Sequence, residues 1–170
     1  DYMCNQCPQQ DGIILYHYMG TGKTLTALGL AINLGLPIVL VAPQGLLSQW
    51  MQKYFKPYAK HLPKISHMLP YEKLWDVLKN SDKAWRESHV LIADEAHNLA
   101  HWLEKRIPQD QKATQIKRLF DFKKRILLTG TPIYWGESDL SFLTNIASGK
   151  LLMPIDYNAF QTAFYKPKFY

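Results

Sequence analysis

The chemistry in this chain begins at Gly20-Thr21-Gly22-Lys23-Thr24. Two residues without a β-carbon let the backbone approach a bulky anion without steric clash. A lysine and a threonine hydroxyl follow at once, a cation for phosphate oxygens and a hard oxygen for Mg²⁺. The pattern is a phosphate cradle when a strand precedes it and a helix follows, and an ordinary glycine-rich turn otherwise. The second group is Asp94 and Glu95, which close the apolar run Val90 to Ala93. An acidic residue at a strand end, roughly 70 residues past such a loop, is where a Mg²⁺-binding carboxylate belongs. Its neighbour Glu95 is placed to orient and polarise an attacking water as general base. The competing reading is a pair of acids favoured by a helix dipole at its N-terminus.

These residues need elements that hold them. Ile13, Ile14, Leu15 and Tyr16 read as a strand before the glycine loop, and Leu25, Leu28, Ala31 and Ile32 keep helical spacing after it. Amides at that helix start would point at anionic oxygens. Short apolar runs at 37–42, 90–93 and 125–128 read as buried strands, and Ile65 to Leu69 as a short one. Helical spacing covers 46–54, 71–79, 83–87, 99–105, 111–120, 139–146 and 158–165. Alternating strand and helix predict an α/β fold, a parallel sheet with helices on both faces. Residues 1–12 read as an N-terminal flank and 13–170 as one domain.

Composition narrows the setting. The 170 residues are 47% hydrophobic and 20% charged, with a net charge of +6. That is ordinary globular composition, leaning toward a polyanionic partner. No apolar run approaches the ~20 residues that span a membrane, and no signal peptide is visible, so we expect an intracellular rather than a secreted protein. The first residue is Asp1, which suggests a piece of something longer. Cys4 and Cys7 lack the further ligands of a zinc site and read as inert thiols or half of a metal site. Lys123, Lys124 and Arg125 read as solvated surface, and the tryptophans Trp50, Trp75, Trp85 and Trp102 as packing.

The motifs together resemble a known family. Asp94-Glu95-Ala96-His97 is the motif II tetrapeptide of superfamily-two DEAH-box helicases and translocases. Leu127-Leu128-Thr129-Gly130-Thr131-Pro132-Ile133 resembles motif III in the spelling of the Swi/Snf-like branch, which moves on double-stranded DNA. The stretch Val39 to Trp50 resembles that branch's motif Ia, and Asp139 to Leu143 with Phe160 and Phe164 its continuation. The spelling around Gly20 is also similar to nucleoside triphosphatases of large DNA viruses. The resemblance implies the N-terminal RecA-like lobe of an ATP hydrolase, with ATP and Mg²⁺ as ligands. It implies that Gly20, Thr21, Gly22, Lys23 and Thr24 hold phosphates, that Thr24 and Asp94 hold Mg²⁺, and that Lys23, Asp94 and Glu95 are catalytic. His97, Thr129, Gly130 and Thr131 would couple the nucleotide site to nucleic acid, which Pro43, Gln44 and Gly45 would touch. Nucleic acid, double-stranded DNA first, is the implied partner, together with a second RecA-like lobe of the same polypeptide that supplies an arginine. Alternatives are the motor lobe of a restriction enzyme or RNA helicase, or a nucleotide-binding scaffold without turnover. Two departures stand out: His17 occupies the first glycine position of the phosphate loop, and Tyr134-Trp135 replaces a polar pair.

Overall fold

The computed structural model describes residues 10–18 and 20–165; Cys4 and Cys7 lie outside them. Its centre is a five-stranded sheet in the order β1-β5-β4-β2-β3. The strands are β1 (Gly12–Tyr16), β2 (Ile38–Val41), β3 (Ile65–Leu69), β4 (Val90–Asp94) and β5 (Lys124–Thr129), and every pairing is parallel. The helices are α1 (Lys23–Leu34), α2 (Gln44–Gln49), α3 (Lys56–Tyr58), α4 (Tyr71–Asn80), α5 (Lys83–Glu87), α6 (His97–Arg106), α7 (Gln109–Phe120), α8 (Ser138–Ser148) and α9 (Tyr157–Phe164). A π-helical segment, Trp50–Phe55, joins α2 to α3.

Strand side chains alternate between two apolar layers, as the pleat requires. Ile38, Leu40, Val90, Ile92, Ile126 and Leu128 pack with Ala27, Leu28 and Ala31 of α1 and with Leu47, Trp50 and Phe55. Val39, Val41, Leu91, Ala93 and Leu127 pack on the opposite side with Leu74, Leu99, Ile116 and Phe142 from α4, α6, α7 and α8. Helices therefore cover both faces, which is why the central strands read as unbroken apolar runs. Among the described residues no helix is long and apolar enough to cross a membrane.

Two local features hold β1 and α1 in place. A β-carbon on Gly12 would stand 2.1 Å from the carbonyl oxygen of Ala147, so the glycine is what lets α8 lie against β1. The helix α1 ends at Gly35, whose left-handed φ of 64° returns its amide to the carbonyls of Ala31 and Ile32.

The basic run before β5 is not the solvated surface its charge suggested. Lys123 is exposed, but Lys124 and Arg125 are buried. Both begin a central strand whose two faces are covered by helices, so their side chains emerge under protein rather than into solvent. The Arg125 guanidinium donates to the carbonyls of Phe120 (2.6 Å) and Phe122 (2.7 Å), at the negative end of the α7 dipole. Lys124 donates to the Gln10 carbonyl at 2.8 Å and pairs with Asp11 at 3.1 Å. This cluster sits at the amino ends of the strands, across the sheet from the glycine loop.

Candidate active site

Parallel strands gather their outgoing loops at their carboxyl ends, and the candidate residues meet there. The glycine loop leaves β1 after Tyr16. Gly20 and Gly22 hold φ values of 81° and 89°, where a β-carbon is strained whatever the free space. Gly22 caps α1, so Lys23 and Thr24 form its first turn. The Lys23 ammonium is buried and donates to the carbonyls of His17 (2.6 Å) and Tyr18 (3.1 Å). His17 thus contributes its carbonyl, and its ring is exposed. Among the described residues Glu95 is the non-glycine with positive φ, so the backbone at His17 does not call for the glycine that the pattern expects.

Asp94 ends β4 and is gripped from both layers of the domain. The Trp50 indole N–H donates to its Oδ2 at 2.7 Å from the α1 side. The Tyr71 hydroxyl donates to its main-chain carbonyl from the other side. The Glu95 amide donates to Oδ1 at 3.0 Å. Burial holds the Asp94 carboxyl above its ordinary range, against the opposing pull of the Trp50 and Glu95 N–H groups and then of Lys23 and His97. Burial first, then Asp94 and Glu95, raise the Tyr71 phenol well above its ordinary range, so it remains a donor. Each carboxylate oxygen has one donor and keeps a further lone pair.

Glu95 adopts φ 50°, a left-handed conformation that costs an ordinary residue roughly 1–2 kcal/mol. The next amide, from Ala96, donates to the Leu128 carbonyl at 2.8 Å and staples this turn to β5. His97 then opens α6. Its Nδ1 lies 3.1 Å from Thr129 Oγ1, 3.4 Å from Thr131 Oγ1 and 3.5 Å from Glu95 Oε2. The Asn98 side-chain amide donates to Nε2 at 3.2 Å, so Nδ1 carries the proton and donates to Thr129. Burial pulls the His97 imidazole below its usual range, against the opposing charges of Glu95, Asp139 and Asp94, and it is neutral at neutral pH.

Lys23, Thr24, Asp94 and Glu95 line one cleft of about 340 Å³, with Gly20, Gly22, Leu25, Leu46, Gln49, Trp50 and Tyr54 completing the walls. Thr24 and Asp94 together offer hard oxygens to a divalent cation, and Lys23 a cation to phosphate. His97, Thr129 and Thr131 adjoin the cleft through Glu95, and Gly130 lies between the two threonines. Thr21 hydrogen-bonds back to the Tyr18 carbonyl through its amide (3.4 Å) and its hydroxyl (2.6 Å) and shapes the loop. Pro43 is the residue before α2, and Gln44 and Gly45 are exposed on its first turn, outside the cleft lining. Trp50 and Tyr71 are the residues that sequence reasoning missed. Trp50 ends the Leu-Leu-x-x-Trp stretch, which was its one available signal; Tyr71 had none.

Residues 3–134 match the family described as type III restriction enzyme, res subunit. A termination factor NPH-I homolog of African swine fever virus (isolate Tick/South Africa/Pretoriuskop Pr4/1996) is 31% identical over 172 residues, covering 90% of this chain and 24% of that protein. The human SWI/SNF-related matrix-associated actin-dependent regulator of chromatin subfamily A member 1 is 29% identical, covering 86% of this chain and 15% of its own. The ISWI chromatin-remodeling complex ATPase ISW2 of Saccharomyces cerevisiae is 30% identical, covering 78% and 14%. The chain therefore spans a quarter or less of these relatives. Its matched residues include the glycine loop, the Asp94 turn, Thr129 and Thr131, and the chain belongs to the type III restriction enzyme res-subunit family, as an N-terminal region on the Swi/Snf-like branch of superfamily two.

Proposed function

We propose that this chain is the ATP-binding lobe of a nucleic-acid-dependent ATPase, a translocase or helicase acting first on double-stranded DNA. The observation that carries the reading is the convergence of Lys23, Thr24, Asp94 and Glu95 on one cleft, with His97 tying it to Thr129 and Thr131. The names of the relatives, a chromatin-remodeling ATPase, a regulator of chromatin and a viral termination factor homolog, support it.

In this reading the glycine-loop amides and Lys23 hold the β- and γ-phosphates. Thr24 and Asp94 would hold Mg²⁺, which when bound neutralises phosphate charge. Glu95 orients a water toward the γ-phosphorus and takes its proton as the bond to the leaving ADP oxygen breaks. Lys23 stabilises charge on the transferred group. The left-handed turn at Glu95, stapled to β5 by the Ala96 amide, presents that carboxylate to the cleft. Nucleic acid would run past Pro43, Gln44 and Gly45, touching backbone phosphates more than bases. A second lobe of the same polypeptide would supply an arginine worth about 10³–10⁵ in rate, so the 170-residue chain alone should hydrolyse ATP very slowly.

The test uses the full-length protein with Lys23→Ala and Glu95→Gln. ATP turnover is measured alone and with duplex DNA, single-stranded DNA and RNA. Lys23→Ala should lose nucleotide binding, and Glu95→Gln should bind but not turn over. Unchanged turnover in both would reject the reading. Stimulation by RNA alone would replace double-stranded DNA as the track.

A further inference from the structure

Tyr134 and Trp135 stand where the family resemblance implied a polar pair, and both close on α6. Tyr134 stacks on the His97 imidazole, with centroids 4.9 Å apart and planes at 23°. Trp135 stacks on His101, one helical turn on, at 4.3 Å and 24°. The two aromatic rings brace each other edge to face at 5.0 Å. Their backbone is pinned from below. The Tyr134 and Trp135 amides donate to Oδ2 of Asp139 at 3.0 and 2.8 Å, and that carboxylate is fully buried in the first turn of α8. The outer faces stay open: Tyr134 is 59% and Trp135 54% exposed.

The stack matters because of what His97 touches. Three oxygens, of Thr129, Thr131 and Glu95, lie within 3.5 Å of its Nδ1. An imidazole turns about a broad, two-fold torsion. Nδ1 has three oxygens at similar distances, and the Asn98 amide that meets Nε2 at 3.2 Å also meets the Glu95 carbonyl at 3.2 Å, so these long, shared contacts resist a change of tilt only loosely. A flat ring parallel to it selects one tilt.

We propose that Tyr134 is the positioning residue of His97, fixing the imidazole plane so that engagement of nucleic acid near Thr129–Thr131 is relayed to Glu95. This rests on reading the chain as a nucleic-acid-stimulated ATPase. The stacked ring is the coupler, and the phenol hydroxyl has no part in it.

The experiment uses the full-length protein as wild type, Tyr134→Ala, Tyr134→Phe and Glu95→Gln. Turnover is measured without nucleic acid and with whichever of duplex DNA, single-stranded DNA or RNA stimulates the wild type, and affinity for that polymer is measured by anisotropy. Tyr134→Ala should keep basal turnover and polymer affinity while its stimulation falls about two- to twelvefold, the range one aromatic pair carries. Tyr134→Phe should be stimulated like wild type. Undiminished stimulation in Tyr134→Ala overturns the proposal, as does equal loss in Tyr134→Phe. Loss of basal turnover in step with stimulation makes Tyr134 a structural prop and overturns it too. Should Glu95→Gln turn over normally, it is the ATPase reading that has failed.

Discussion

Replacing Trp50 by Phe removes one hydrogen-bond donor from Asp94 and part of a buried ring. The indole N–H sits 2.7 Å from Oδ2, with Trp50 1% and Asp94 9% exposed, so solvent cannot substitute for it. A hydrogen bond to a buried charged group contributes about 1.5–3 kcal/mol. For a domain of this size each kcal/mol moves the melting temperature by roughly 2–4 °C, so Trp50→Phe should lower it by about 3–12 °C at neutral pH. Some of that drop would come from the smaller ring, and a double-mutant cycle separates the parts. With Asp94→Ala as background, Trp50→Phe should cost only the ring difference. Urea unfolding of the four proteins gives the coupling directly, expected at about 1.5 kcal/mol or more. Mg²⁺-dependent ATP binding should weaken in parallel, because Asp94 loses the group that aims it. Equal cost of Trp50→Phe in both backgrounds would refute the reasoning and return Trp50 to plain packing.

Three further outcomes follow from particular residues. Gly12→Ala forces a β-carbon onto the Ala147 carbonyl and should destabilise by about 3 kcal/mol or more, seen in urea unfolding. Glu95→Gly should be more stable than Glu95→Ala by roughly 1 kcal/mol, reversing the usual order, because φ is 50° there; thermal melts of the two compare them directly. Burial, with help from His89, holds the His67 imidazole below its ordinary range. A lowered histidine pKa means that the unfolded chain takes the proton first, so this contribution is intact above about pH 6.5 and is lost as pH falls through the lower folded value. Unfolding curves across that window should show His67→Gln with a shallower acid loss than wild type.

Much of the site was legible because its chemistry is local in sequence. Gly20 to Thr24 and Asp94 to His97 are contiguous, and the strands before them are unbroken apolar runs because both faces are covered. Strand positions and the two-sided layering were therefore readable, and β4 and β5 matched within a residue or two. What escaped depends on distance along the chain. Trp50 meets Asp94 across 44 residues, and nothing in the spelling of either segment reveals that the indole points at a carboxylate. Lys124 and Arg125 misled because charge was read without the knowledge that β5 lies between β1 and β4. The Tyr134-Trp135 departure was visible as a change of residue type, but its ring partners lie on α6. The left-handed turn at Glu95 carries no sequence signal, since glutamate rarely adopts it.

The strand order has a mechanical consequence. Asp94 and Thr129 leave β4 and β5, interior strands hydrogen-bonded on both sides, and the Ala96–Leu128 bond ties their ends into one body. The glycine loop hangs from β1, which has a single strand neighbour among the described residues and only one buried side chain, Leu15. One jaw of the cleft is thus anchored in the most protected part of the domain, and the other is mounted on its margin. Amide hydrogens of β4 and β5 should exchange only on global unfolding, while those of β1 exchange through a cheaper local opening. The phosphate side of the cleft is the compliant one, and the acid side is the anvil against which it closes.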